Sequence, residues 1–306
     1  MFIEQGFKPE NKFWKYLIGS FIIIIISSFG QLPLLIGFFM KSYIDGKEMP
    51  SINEETLMTY LDSNLTLFLI LISFVFSFLG IIIVVQNLHH QTLLSITTTR
   101  KKIDWNRILF SFTIWSIFTI ASTLLLYTTH PEDFVVNFKL VPFLILVIIA
   151  TLLIPIQTSC EEYIFRGYLM QGFGNLSKNK WFPLLMTSLI FGLMHIFNPE
   201  VSKMGYIIMI YYIGTGLFLG IITLMDEGME LSLGFHAANN LVGSLLVTTD
   251  WSAFQTNSIL KDISQPSAGV DVIIPIVIIY PILIIIFTQK YNWTNWKEKL
   301  FGSLHS

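Results

Sequence analysis

Residues 141–167 read VPFLILVIIATLLIPIQTSCEEYIFRG: twenty residues without a charge, Val141 to Cys160, run directly into Glu161, Glu162 and Arg166. A spanning helix needs about 20 predominantly apolar residues, so this stretch reads as a membrane span with ionisable groups at its end. Working outward on the same basis predicts seven more spans, near 16–41, 66–87, 108–127, 182–198, 206–225, 231–249 and 271–288. The reading is an all-α polytopic membrane protein of about eight transmembrane helices, with the polar cluster on helices 4, 5 and 7. The intervals 182–198 and 231–249 are the short ones. The connections 42–65, 88–107 and 250–270 are too short for a soluble domain, so residues 1–306 read as a single integral membrane domain. Helices 1–3 fall in 1–140, a polar core in 141–250, and the last helix and a tail in 251–306.

Composition agrees. The chain is 53% hydrophobic and 12% charged, with a mean hydropathy of +0.67, whereas soluble domains are nearer a quarter charged. No basic stripe with interleaved aromatics appears, which argues against a nucleic-acid partner. The single cysteine, Cys160, leaves no intramolecular disulfide and no CxxC site. The first apolar run, Tyr16 to Met40, is longer than a secretory h-region and reads as a retained anchor.

Lys and Arg accumulate on cytoplasmic loops. With the N-terminus inside, the inner segments carry twelve (Lys8, Lys12, Lys15, Arg100, Lys101, Lys102, Arg107, Lys178, Lys180, Lys290, Lys297, Lys299). The outer ones carry five (Lys41, Lys47, Lys139, Lys203, Lys261). This alternation predicts eight spans with both termini cytoplasmic. The connection 226–230 is the weakest link, being acidic (Asp226, Glu227, Glu230) where inner positives are expected. Leu88 to Arg107 reads as a basic amphipathic segment on the membrane surface. Trp105, Trp181, Trp293 and Trp296 fit an interfacial belt, and Gly214, Gly216 and Gly220 fit close helix packing. Abundant Ile, Phe and Asn suggest an AT-biased prokaryotic genome, hence a prokaryotic plasma membrane.

Ionisable residues at membrane depth cost roughly 2.5–3.5 kcal/mol each on insertion scales, and are functional candidates by default. They gather at Cys160-Glu161-Glu162-Tyr163-Ile164-Phe165-Arg166-Gly167, at Phe191-Gly192-Leu193-Met194-His195, and at His236-Ala237-Ala238-Asn239-Asn240. Glu162 and Arg166 are four apart and share a helix face in the favourable acid-before-base order. Glu161 lies about 100° round the helix, which leaves its carboxylate for chemistry. If the helix runs to about Asn175, turns at Ser177-Lys178-Asn179 and restarts near Trp181, an antiparallel hairpin brings Glu161 level with His195. Each lies 17 residues from Lys178. Phe191, one turn below, braces the imidazole. His236 and Asn240 share a face, with Asn239 able to substitute. The plain alternatives are a structural histidine and interhelical hydrogen-bond glue. Depth poses a difficulty, because His236 lies only some five residues into its helix. Either the 161–175 helix projects into the cytoplasm or the seventh span starts from a recessed loop.

These clusters, in this order, resemble the CPBP (Abi) family of CAAX-processing intramembrane proteases, which includes the eukaryotic type II CAAX prenyl endopeptidases. The family motifs EExxxR, FxxxH and HxxxN are met by Glu161-Glu162…Arg166, Phe191…His195 and His236…Asn240. The resemblance covers roughly 140–250 and implies a CPBP-like catalytic core there. It implies a general base at Glu161, with His195 sharing the activated water or holding a metal with Glu161. His236 and Asn240 fall at oxyanion-stabilising positions, and Glu162 and Arg166 form a supporting pair. A zinc ion held by Glu161, His195 and His236 and a metal-free glutamate–water site both fit these residues, with a slight lean to the metal-free one; no HExxH is present. The implied partner is a peptide or protein substrate at the bilayer.

The set suffices for amide hydrolysis, which must deprotonate water and stabilise an oxyanion. The rival readings are a non-proteolytic bacteriocin self-immunity or scaffold protein, to which some relatives are linked, and a proton-coupled transporter. The latter predicts a polar pathway and paired halves that the sequence lacks. Cys160 as a nucleophile is disfavoured, since it points to another helix face and reads as a small buried hydrophobe.

Overall fold

The computed structural model describes residues 1–46, 48, 54–267 and 269–305. Each predicted span is occupied by a helix: α1 (Phe13–Asp45), α2 (Ser63–Leu88), α3 (Trp105–Thr129), α4 (Leu140–Ser177), α5 (Trp181–Met194), α6 (Ile208–Asp226), α7 (Glu230–Leu246) and α8 (Val272–Tyr291). All but α5 and α7 are long and apolar enough to cross a membrane, which makes this an integral membrane protein of predominantly helical build. The 14 residues of α5 and 17 of α7 rise about 21 and 26 Å, short of a bilayer core. These are the two intervals whose length was short in the sequence. The polar content of α7 is tolerated because other helices surround it, whereas α5 keeps an exposed apolar face at Leu185, Leu189 and Leu193. Large apolar side chains such as Phe21, Ile117 and Leu152 instead face outward on α1, α3 and α4, as a lipid solvent requires.

The helices pack in pairs: α1 on α2, α2 on α4, α4 on α7, α7 on α3, and α5 on α6. Glycines let two of these contacts close. A methyl on Gly216 would sit 2.9 Å from the Ser188 carbonyl oxygen, and one on Gly220 would overlap Leu184, so both face α5. Gly214 faces Ile276 of α8 instead. At Gly234 of α7 a methyl would overlap the Ile108 carbonyl oxygen of α3, where backbone meets backbone. Gly234→Ala is therefore expected to destabilise by about 1–3 kcal/mol, the usual cost of overpacking. Thermal unfolding in detergent checks it, and an unchanged midpoint would mean the α3–α7 contact is loose.

Three features were not legible in the sequence. Segments Val84–Leu88, Tyr163–Leu169 and Pro275–Ile279 wind as π-helix inside α2, α4 and α8. At one end of the bundle, strands β1 (Phe134–Val136), β2 (Val247–Thr248) and β3 (Leu260–Asp262) form a small sheet in the order β1-β3-β2, antiparallel and then parallel. The connection 88–107, expected as an amphipathic segment on the surface, is partly buried: between α2 and α3 the helical stretch is Leu93–Thr97, and Ile96, Thr97 and Thr98 are buried.

That connection resolves the acidic link at 226–230. Arg100 binds Asp226 (2.9 Å) and Glu230 (3.0 Å), and Arg107 binds Asp226 (3.0 Å), so the missing positives arrive from a neighbouring loop. Phe2 N–H donates to Glu227 (2.6 Å), Thr99 N–H to the Glu227 carbonyl, and Lys299 Nζ to the Met225 carbonyl. Trp293 donates its indole N–H to Asp226 and is buried, so it is no part of an interfacial belt, whereas Trp105 and Trp181 are exposed. The α6–α7 turn thus lies recessed beneath both terminal segments and residues 98–107. All of these are segments assigned to one side by charge. Lys139 and Lys261 lie at the sheet end, and Glu200 accepts from Ala253 N–H there. Lys47 lies outside the described residues.

His89, just beyond α2, ties the N-terminal segment to α4. Its Nδ1 meets Asn11 Oδ1 at 3.1 Å and its Nε2 meets Tyr168 Oη at 2.9 Å, with the Tyr16 ring alongside. Burial, then the charges of Lys15, Lys8 and His90, push its pKa from 6.5 down to about 4. Between those values the unfolded chain binds more protons than the folded one. The contribution of a neutral His89 is therefore complete above pH 6.5 and lost as pH falls to about 4. The melting temperature is expected to drop across that window, and His89→Gln to flatten the drop; an unaltered slope would contradict the assignment.

Candidate active site

Glu161 lies 21 residues into α4, about 32 Å from Leu140 and about 24 Å from Ser177. It is therefore near the middle of the bundle. As the spacing predicts, α4 continues past it, turns at Lys178 in a left-handed conformation (φ 55°), and α5 restarts at Trp181. The α6–α7 turn is recessed, and His236, about 9 Å along α7, comes within 3.6 Å of Glu161, while α4 runs on about 24 Å beyond it.

The two adjacent glutamates stand in different surroundings. Glu162 is fully buried; its Oε1 accepts from Arg166 Nη1 at 3.0 Å and from His236 Nδ1 at 2.8 Å. Arg166 is also fully buried, donates Nη2–H to the Gly216 carbonyl (3.1 Å) and lies 4.4 Å from the Phe191 ring centroid. Among the described residues, Glu162 Oε2 and Arg166 Nε are without a hydrogen-bond partner. Glu161 keeps 16% of its side chain accessible, and its Oε2 lies 3.6 Å from His236 Nε2. Its Oε1 accepts from Gln157 Nε2. Charge pairing therefore ties up Glu162 and leaves Glu161 reachable. The π-helical turn begins immediately after them, at Tyr163, and such turns often mark functional sites.

His236 bridges the pair. Toward the Glu162 oxygen that Arg166 also donates to, Nδ1 is the donor, and Nε2 faces Glu161. His195 caps α5, and its Nδ1 donates to the Phe191 carbonyl (2.7 Å), leaving Nε2 unengaged by that bond. Its ring stacks on Tyr212 at 4.4 Å and lies 4.8 Å from Phe191, whose ring centroid is 6.0 Å from His236. Phe191 thus braces both imidazoles. Asn240 donates to Gln157 Oε1 at 3.0 Å, and Asn239 donates to Asn240 Oδ1 at 3.0 Å.

All the predicted site residues therefore border one region. The sequence reading missed Gln157, Tyr212, Trp115 and the Gly216 carbonyl. Gln157 carries a usable signal, a polar side chain four residues before Glu161 in an otherwise apolar run. Tyr212 and Trp115 lie on helices without charged side chains away from their ends, and nothing local marks them. Cys160 is buried in an apolar cluster with Tyr16, Ile81 and Val85, away from chemistry.

Glu161, His195 and His236 match a zinc shell in donor type but do not converge on one point. Among the described residues, no group of three or more His, Cys, Asp or Glu side chains is placed to hold a metal ion.

Residues 139–242, which contain all three motifs, match the family model described as Rce1-like: Type II CAAX prenyl endopeptidase Rce1-like. The resemblance read from the motifs therefore holds over this stretch. The chain is 29% identical over 246 residues to the Bacillus subtilis (strain 168) protein titled "Uncharacterized protein YyaK", covering 80% of this chain and 81% of that one. No solved structure matches the chain.

Proposed function

We propose, from the type II CAAX prenyl endopeptidase-like core at 139–242, that this chain is an intramembrane endopeptidase. In this reading it hydrolyses a peptide bond near the membrane surface with a glutamate-activated water. The observation that carries the proposal is the split between the two carboxylates: Glu162 is buried against Arg166, and Glu161 is accessible beside His236. A water on Glu161 Oε2, beside His236, gives its proton to Glu161 and attacks the scissile carbonyl carbon. His236, as the imidazolium with its Nδ1–H on Glu162, donates Nε2–H to the oxyanion, joined by the second amide proton of Asn240. Glu161 then passes its proton to the leaving amine as the C–N bond breaks. The substrate in this reading is a C-terminal or membrane-adjacent peptide. Both termini are cytoplasmic, consistent with the positive charges on the segments that meet at that end.

The test is cleavage of quenched, membrane-tethered peptides, lipidated and free, by purified protein beside Glu161→Ala, with and without a chelator. Cleavage lost in the variant and surviving chelation is the expected result. Loss on chelation would make the site a metalloprotease. A folded wild type that cleaves nothing would favour an immunity or scaffold role.

A further inference from the structure

We propose that Trp115, Asn239 and Gln157 are positioning residues for Glu161, joined to it by a hydrogen-bond chain whose every donor points toward the carboxylate. The proposal deepens the peptidase reading and rests on it. Trp115 Nε1–H on α3 donates to Asn239 Oδ1 at 3.1 Å, and Asn239 Nδ2 donates to Asn240 Oδ1 at 3.0 Å. Asn240 Nδ2 crosses from α7 to α4 to reach Gln157 Oε1 at 3.0 Å, and Gln157 Nε2 donates to Glu161 Oε1.

The chemistry of the two ends fixes the direction of the chain. An indole N–H only donates and a carboxylate only accepts, so the three amides between them have one consistent orientation. Gln157 must offer its amino group to Glu161, which turns its oxygen to Asn240, and so on back to the indole. Aligned amides polarise one another, by about 10–30% per bond. The chain also occupies Oε1 alone, which leaves Oε2, the oxygen facing His236, for the water. Gln157 and Trp115 are buried, and the indole packs against Phe118 and Phe235 with centroids 4.9 and 4.4 Å away. The anchor is therefore held by packing on a helix outside the matched family stretch. Asn240 accordingly serves Glu161 through Gln157 as well as facing the oxyanion.

The experiment uses the full chain in lipid, with Gln157→Met, Trp115→Phe and the double variant. Gln157→Met preserves shape and removes both polar atoms. It is expected to lower kcat roughly tenfold to hundredfold with KM unchanged, the range for losing a hydrogen bond to a charged group. Trp115→Phe is expected to lower kcat about threefold to tenfold, and to add nothing in the Gln157→Met background, because the chain is already cut there. Independently of turnover, the infrared carboxylate band of Glu161, isolated by difference against Glu161→Gln, is expected to move in both single variants. Full activity in both, effects that multiply, or an unmoved band would overturn the chain. Should Trp115→Phe fold poorly, Gln157→Met and the band decide. Wild-type cleavage that survives Glu161→Gln would sink Glu161 as the base, and no cleavage by a folded wild type would sink the peptidase reading; in either case the band would still report on the chain.

Discussion

Glu161→Gln is expected to lower kcat by about 10²–10⁴-fold, the usual contribution of a general base, while leaving the fold intact. The carboxamide keeps the shape of the side chain. Its oxygen still accepts from Gln157, and its amino group faces His236 Nε2, which accepts when the ring is neutral rather than the imidazolium of the cleavage step. Because the side chain is partly accessible and not paired with Arg166, no buried charge is orphaned. The variant therefore separates chemistry from stability. Steady-state cleavage gives the first and thermal unfolding the second. A fall in kcat with an unmoved midpoint supports the assignment, and loss of both together would make Glu161 a structural residue.

Arg166→Met is expected to do the opposite, destabilising by about 3–5 kcal/mol. Arg166 and Glu162 are both fully buried, and removing the guanidinium leaves a carboxylate in the interior with only His236 as a partner. The pair does not exist for stability. Glu162 Oε2 and Arg166 Nε are unmatched among the described residues, and imperfectly paired buried ions seldom repay their desolvation. In the proposed mechanism it holds His236 by Nδ1, so that Nε2 presents to Glu161. The double variant Glu162→Gln/Arg166→Met removes both charges. It should be less destabilised than the two single costs added together, by about 1–3 kcal/mol, with activity still low. Additive costs in unfolding experiments would mean the two side chains do not act as a pair.

Much of this arrangement was legible in one dimension. Apolar runs fixed the helices because in lipid the backbone must satisfy itself within the segment, which leaves few alternatives to a helix of that length. Glu162 and Arg166 met because a four-residue spacing is a contact on any helix. The turn at Lys178 and the restart of the chain at Trp181 followed from the same kind of counting. What escaped was whatever depends on one helix meeting another. His236 joining Glu162, Tyr212 stacking on His195 and Arg100 reaching Asp226 need three-dimensional placement that spacing does not encode. The π-helical turn at Tyr163–Leu169 shifts the register after the glutamates and has no sequence signature of its own.

The most direct measurement is mass spectrometry of a membrane-tethered peptide library incubated with reconstituted wild type and with Glu161→Gln in ¹⁸O-water. The account predicts new peptide termini from the wild type alone, each new carboxylate carrying one ¹⁸O from the attacking water. New termini at equal yield from Glu161→Gln, or none from a folded wild type, would contradict it.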